Sequence, residues 1–158
     1  MENIWTNPRS SAFGGLAELT TLKCVRLSSN ATLPTRATPG SAGLDLYAAA
    51  PVYLLPNQRV LVPTDLQILV PPGYCGRITS RSGQSYSHNV DVITGLLDAD
   101  YTGNVGVLLH NFGLFTYFAP VKTKIAQIVI DKICYPSVQE VSALPTTDRG
   151  ACGFGSTG

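Results

Sequence analysis

Glycine and proline interrupt this chain every several residues, and the segments between them are runs of Val, Ile, Leu, Tyr and Thr. Proline lacks the amide a helix interior or a central strand needs, so it confines regular structure to short pieces. Fifteen glycines and 11 prolines in 158 residues therefore point to short strands joined by turns, the rhythm of an all-β sandwich or barrel. The length fits one domain able to bury a core.

The chain divides accordingly. Residues 1–20 mix Asn, Pro, Ser, Gly and Ala without a sustained period and read as a flexible leader, with Trp5 and Phe13 its large apolar residues. A β domain is expected over 21–145, beginning with a strand at LKCVRL. Prolines and the glycines at 40 and 43 exclude a helix before Leu44. VYLLPNQRVLVPTDLQILV at 52–70 reads as two or three strands turning at Pro56-Asn57 and Pro63-Thr64. Further strands are expected from Cys75 to Thr79 and from Lys124 to Tyr135, around an apolar link from Phe112 to Ala119. Gln84 to Asn89 invites the one short helix. The glycine-rich end, 146–158, reads either as a frayed terminus or as an arm whose closely spaced amides form an anion nest.

Charge is sparse, 13% of residues with a formal net of +1. That leaves no basic field for duplex nucleic acid, so a small ligand or protein partner is favoured. Cys24, Cys75, Cys134 and Cys152 lack C-x-x-C spacing, which argues against a zinc site or a disulfide framework. No apolar run approaches membrane-spanning length, and no signal-like segment opens the chain. A soluble intracellular protein, cytoplasmic or nuclear, is expected.

The sparse charge is concentrated in residues 77–111, where Arg77, Arg81, Asp91, Asp98 and Asp100 lie among β-branched runs. Charge gathered where strands turn is a site signal. The apolar residues from Val90 to Leu97 and from Val105 onward read as a hairpin with Gly103-Asn104 at its tip or in a bulge beside it. If the ligand is a nucleoside triphosphate, guanidinium forks at Arg81 and Arg149 suit its phosphates. Ser82 and the amide of Gly83 add uncharged donors that can approach closely. Asp45, set between two leucines, can satisfy local amides or hold a magnesium ion through water. Asp98 and Asp100 are solvated turn residues or candidate bases for an attacking water.

RSG at 81–83, GLLDADYTG at 95–103 and RGACGFGSTG at 149–158 closely resemble the motifs of the trimeric dUTP pyrophosphatases, the dUTPases. PGSAGLDLYAAA at 39–50 and KIAQIVI at 124–130 fall in the order that family requires. The resemblance implies a jelly-roll-like β-barrel or sandwich assembling as a homotrimer with sites shared between subunits, and hydrolysis of dUTP to dUMP and pyrophosphate with Mg2+. It selects Asp98 as the water-activating carboxylate and Tyr101 as the ring packed on the sugar. It implies that the backbone of Gly95, Leu96 and Leu97 reads uracil, with Gly106 also at the substrate. Arg81, Ser82, Gly83 and Gln127 match phosphate and water contacts, Asp45 the carboxylate that grips magnesium through water, and Arg149, Phe154 and Gly155 the closing arm.

Three departures stand out. Lys124 replaces an arginine at a position that reads as structural. Ser80 replaces a proline, which should slightly loosen the approach to the phosphates. Cys152 replaces a glycine, at a cost on the order of 1 kcal/mol if that position needs positive φ. Two other functions compete with this one. A dUTPase-like protein acting mainly through protein–protein contacts is disfavoured by the intact catalytic positions. The related dCTP deaminase chemistry needs a glutamate base, and glutamate occurs only at positions 2, 18 and 140.

Overall fold

The computed structural model describes residues 21–152. Its strands, all paired antiparallel, are β1 (Lys23–Arg26), β2 (Thr35–Arg36), β3 (Leu44–Tyr47), β4 (Val52–Leu54), β5 (Arg59–Pro63), β6 (Leu66–Leu69) and β7 (Tyr74–Thr79), then β8 (Val90–Thr94), β9 (Leu96–Leu97), β10 (Gly106–Asn111), β11 (Tyr117–Ala119) and β12 (Lys124–Lys132). One short helix, α1 (Ser82–His88), follows β7 and ends on Asn89 in the left-handed conformation, φ 53°, which asparagine tolerates better than most residues.

Four sheets share one core: β2-β3-β12-β7-β9, β5-β10-β8, β1-β6 and β11-β4. Leu46, Ile78, Leu97, Ile125 and Ile128 project from the first, Val62, Val90, Val107 and Leu109 from the second, Leu66 and Ile68 from the third, and Leu54 and Tyr117 from the fourth, into a single apolar cluster. The sheets do not close on themselves, so the sandwich expected from the glycine–proline rhythm forms and a closed barrel does not. Alternation is clear in β6 and β10, where every second residue is buried, as a sheet with one covered face demands.

The hairpin read over 90–111 is more divided than a simple turn. β8 and β10 pair, from Val90 opposite Asn111 to Thr94 opposite Leu108. The chain between them detours: β9 leaves this sheet and pairs with β7 instead. Gly95 makes the transfer, its carbonyl accepting from Ile78 N at 2.6 Å. A Cβ there would lie 2.6 Å from Ile78 Cβ and 2.9 Å from its carbonyl oxygen, so no larger residue fits without moving β9 off the ladder. No helix of the described residues is long and apolar enough to cross a membrane.

Candidate functional site

Asp45, Gln127 and Thr79 are register partners across β3, β12 and β7. They lie on the face opposite Leu44, Ile128 and Ile78, the row that packs on the core. Thr79 ends β7, and two residues later Arg81 turns back over this row. Its Nε donates to Asp45 Oδ1 at 2.8 Å, and Nη1 reaches the Lys124 carbonyl at 3.4 Å. Lys124 approaches from the other side, its Nζ 2.8 Å from Asp45 Oδ2. That contact is an ion pair at hydrogen-bond distance. A carboxylate only 6% exposed thus stands between two cations, the arrangement a buried charge requires. The same pairing, by hydrogen bond and by charge, raises the Lys124 pKa above its usual value.

Lys124 is in reach because the strand slips. The register between β12 and β3 shifts between Lys124 and Ala126, and a bulge re-aims the side chains beside it. Ile125 and Ala126 are consequently both buried, and Lys124 faces the site. The position read as structural is thus a direct partner of Asp45.

Gln127 and Ser80 complete the turn. Gln127 Nε2 donates to the Ser80 carbonyl at 2.9 Å, and Ser80 Oγ accepts from the Val92 amide at 2.8 Å. Where looseness is expected of serine in place of proline, the Ser80 hydroxyl ties the start of α1 to β8. Beyond that turn a Cβ added at Gly83 would meet nothing within 4 Å. Neither bond of Arg81 uses Nη2, so a donor remains for an anion there.

The second group of sequence-selected residues lies on the next ladder. β9 is the outer strand of its sheet, so the edge of Leu96-Leu97 away from β7 keeps backbone donors and acceptors without strand partners. Asp98 is exposed, and the amide of Tyr101 donates to its carbonyl at 3.2 Å. Tyr101 is half-exposed and donates its hydroxyl to the Asn104 carbonyl at 2.9 Å. Gly106 begins β10, where an added Cβ would meet Leu61 Cδ1 at 2.8 Å.

The sequence-selected residues thus fall into separate groups within one chain. Asp45, Arg81 and Gln127 are brought together, with Ser82 and Gly83 beside them. No hydrogen bond or ion pair among the described residues joins Asp98, Tyr101 or Arg149 to that cluster. Arg149 donates instead to the Cys152 carbonyl at 2.8 Å. The left-handed residue described in this segment is Gly150, φ +52°, two positions before the cysteine. Phe154 and Gly155, like the leader at 1–20, lie outside the described residues.

Sequence reading missed Lys124 and Ser80 as site partners, together with Asp65 and Asn104, whose side chains bond at 2.9 Å beneath the Tyr101 loop. The one accessible signal is the acid at Asp65, directly after the turn read at Pro63-Thr64. All four cysteines are free, and no cluster of three His, Cys, Asp or Glu side chains fit for a metal occurs among the described residues.

A cation-flanked carboxylate, an open donor turn and an uncovered strand edge on an antiparallel β domain offer the donors a small anionic ligand needs. A family model described as dUTPase matches residues 29–158. The chain is 46% identical over 137 residues to mouse deoxyuridine 5'-triphosphate nucleotidohydrolase, covering 87% of this chain and 85% of that one. A Schizosaccharomyces pombe protein named as a probable enzyme of the same kind is 47% identical over 133 residues, 84% of this chain and 95% of its own. In three dimensions the dUTPase of Staphylococcus bacteriophage 80alpha, solved with dUPNHPP, superposes with a TM-score of 0.83 at 32% identity, over 88% of this chain and 99% of that one. A mutant dUTPase of S. aureus phage phi11, described for its coordination of a structural Mg(II) ion, superposes at 0.76 and 30% identity, over 80% and 99%. The chain belongs to the dUTPase family.

Proposed function

We propose that the protein hydrolyses dUTP to dUMP and pyrophosphate by in-line attack of water on the α-phosphorus. The observation that carries this reading is the cluster built on Asp45: a guanidinium held ready, an unused Nη2 and an open Ser82-Gly83 turn suit phosphate oxygens. Gln127 orients this turn through the Ser80 carbonyl and takes a water contact beside it. The free edge of Gly95 to Leu97 reads uracil through main-chain hydrogen bonds, with Gly106 behind it. The Tyr101 ring packs on the deoxyribose and leaves no room for a 2′-hydroxyl. Asp98 takes the proton of the attacking water as the new bond to phosphorus forms and the bond to the bridging oxygen of the pyrophosphate breaks. Arg149, Phe154 and Gly155 supply the arm: Arg149 meets the γ-phosphate and Phe154 stacks on the base.

Magnesium fits the residues present. A carboxylate oxygen has more than one lone-pair site, so Asp45 Oδ2 can accept from an ion's water beside its Lys124 contact, and a lone carboxylate suits an ion that keeps most of its hydration shell. When bound, Mg2+ spreads the negative charge of the triphosphate. A phage relative is described as coordinating a structural Mg(II) ion, which shows that the family's fold can hold this metal.

The working unit is proposed to be a homotrimer with composite sites. Val107 and Leu109 are buried in the core, whereas their neighbour Leu108 pairs with Leu61, which is 66% exposed on the outer face of the same sheet. Residues 132–152 are exposed throughout, including Tyr135, Val138 and Leu144. Apolar surface of this kind calls for a neighbouring subunit. Residues 21–145 would form the body and 146–158 the arm. A cytoplasmic or nuclear location accords with work on a nucleotide pool.

Release of pyrophosphate from dUTP, dTTP, dCTP and UTP, measured side by side, tests the reaction. Turnover confined to dUTP is expected, and turnover of dTTP at a comparable rate would overturn the uracil assignment. Light scattering that reports a monomer at micromolar concentration would overturn the shared site.

A further inference from the structure

The loop that carries Tyr101 is fastened from outside itself. Val105 N donates to the Leu66 carbonyl at 2.8 Å, and the Val105 carbonyl accepts from Thr64 N at 3.1 Å and Thr64 Oγ1 at 2.7 Å. Gln67 Nε2 reaches the Thr102 carbonyl at 2.6 Å. At the centre of these contacts stands Asp65, in the turn between β5 and β6. Its φ of 51° is a left-handed conformation that aspartate adopts more readily than most side chains. Its Oδ1 accepts from Asn104 Nδ2 at 2.9 Å and its Oδ2 from Ser28 Oγ at 2.6 Å. The Asn104 carbonyl in turn receives the Tyr101 hydroxyl. The other end of the ring's path is set by Gly103, where an added Cβ would lie 2.5 Å from Tyr101 Oη and 2.6 Å from Cζ.

We propose that Asp65 is a positioning residue that sets the selectivity for deoxyribose over ribose, by holding Asn104 and through it Tyr101. The inference rests on the reading above, in which Tyr101 packs on the sugar. A ring that rejects one hydroxyl by contact must be held closely, because a misplacement of about 1 Å in a site can cost roughly 100-fold. Asn104 is the residue on which Tyr101 ends, and its side chain is tied to Asp65. The carboxyl of Asp65 is held below the usual carboxylate range, by the Ser28 hydrogen bond first and the Asn104 bond second, so at neutral pH it is a double acceptor matched to two donors.

The test is the ratio of kcat/KM for dUTP to that for UTP. In Asp65→Ala it should fall on the order of 10-fold, and Asn104→Ala, which removes the same bond from the other end and spares the Asp65 turn, should reproduce the fall. Asp65→Asn should restore the ratio to within about 3-fold, because its carbonyl still accepts from Asn104 while its amide faces a hydroxyl able to accept. In a Tyr101→Phe background, where no hydroxyl reaches Asn104, Asp65→Ala should produce no further change in the ratio. Equal losses for both nucleotides in Asp65→Ala and Asn104→Ala would make the aspartate a structural turn residue and overturn the inference. If Asp65→Ala does not fold, an unchanged ratio in Asn104→Ala overturns it alone. A wild-type protein that fails to hydrolyse dUTP would instead defeat the proposed function.

Discussion

The Asp45 cluster and the loop from Asp98 to Asn104 are held in opposite ways. In the cluster the functional side chains bind one another: Arg81 and Lys124 are each 2.8 Å from the carboxylate. In the loop Asp98 is exposed, with no side-chain bond among the described residues, and order is imposed on the backbone from Thr64 and Gln67 and on the Asn104 side chain from Asp65. The difference follows from what each must do. Cations gathered for a triphosphate repel one another until an anion arrives, so a resident carboxylate offsets them. A general base needs the reverse, a carboxylate left free for water in a fixed place.

The largest effect should come from the unpartnered carboxylate. Asp98→Asn keeps the shape and removes the base, so turnover should fall by roughly 100- to 10,000-fold, while affinity for a non-hydrolysable dUTP analogue stays within a few-fold. Near-native turnover would transfer the role to Asp100. Loss of binding together with turnover would mean that this loop, like the cluster, depends on its side chains for structure.

Next comes the guanidinium. Arg81→Lys retains a charge near Asp45 but not a fork able to bond Asp45 and a phosphate together. A fall in kcat/KM for dUTP of about 10- to 100-fold is expected, the worth of one charge-assisted hydrogen bond. If lysine serves as well, Arg81 acts as a point charge and the unused Nη2 has no part in the site.

Lys124→Gln tests whether the second cation competes with magnesium for Asp45. Removing it should lower the half-saturating Mg2+ concentration in dUTP turnover by a few-fold, because an exposed lysine competes only weakly for the carboxylate. Because pairing with Asp45 raises the Lys124 pKa, its charge is fully present below the usual lysine value and is lost only as pH rises through the raised one. The difference between the two proteins should therefore be constant over about pH 6–9. An unchanged Mg2+ requirement would leave Lys124 as a neutralising partner only.

These two regions also differ in how far the sequence discloses them. The tripeptide Arg81-Ser82-Gly83 and the run from Gly95 to Tyr101 are local strings, legible because the chemistry sits in consecutive residues. So are the strands from Val52 to Val70 and β12, whose periods and turn residues are plain, although β12 ends at Lys132 rather than Tyr135 and the helix begins at Ser82, two residues before the stretch that invites it. Lys124 was hidden because a bulge displaces it, and nothing in Lys124-Ile125-Ala126-Gln127 announces a slip in register. Asp65 was hidden because its partners are 37 and 39 residues away, and the chain beside it shows only the Pro63-Thr64 turn. The transfer of β9 from one sheet to another was likewise invisible, since Leu96-Leu97 carries the same apolar pattern in either place. Local chemistry and period can be read from one chain, whereas long-range pairing exists only once the sheets have formed.

The smallest expected effect concerns the stability of the loop anchor against pH. A carboxyl with a depressed folded pKa contributes stability above its unfolded value, and the contribution is lost as pH falls through the folded value. Asp65 is depressed by two hydrogen bonds from neutral groups, Ser28 and Asn104, so salt should alter it less than it alters the Lys124 pair. Wild type should melt above Asp65→Asn at neutral pH, by a few degrees at most, since a partly exposed bond of this kind is worth about 1 kcal/mol or less. The gap should close as pH is lowered through and below about 4, where both proteins carry an uncharged group at position 65. Thermal melts of the two proteins at matched concentration, in steps of pH and at two salt concentrations, measure this directly. A gap that persists at low pH would assign the difference to shape at the left-handed turn. A gap that collapses with salt at neutral pH would reveal a charged partner, and the loop would then be held by the same means as the Asp45 cluster.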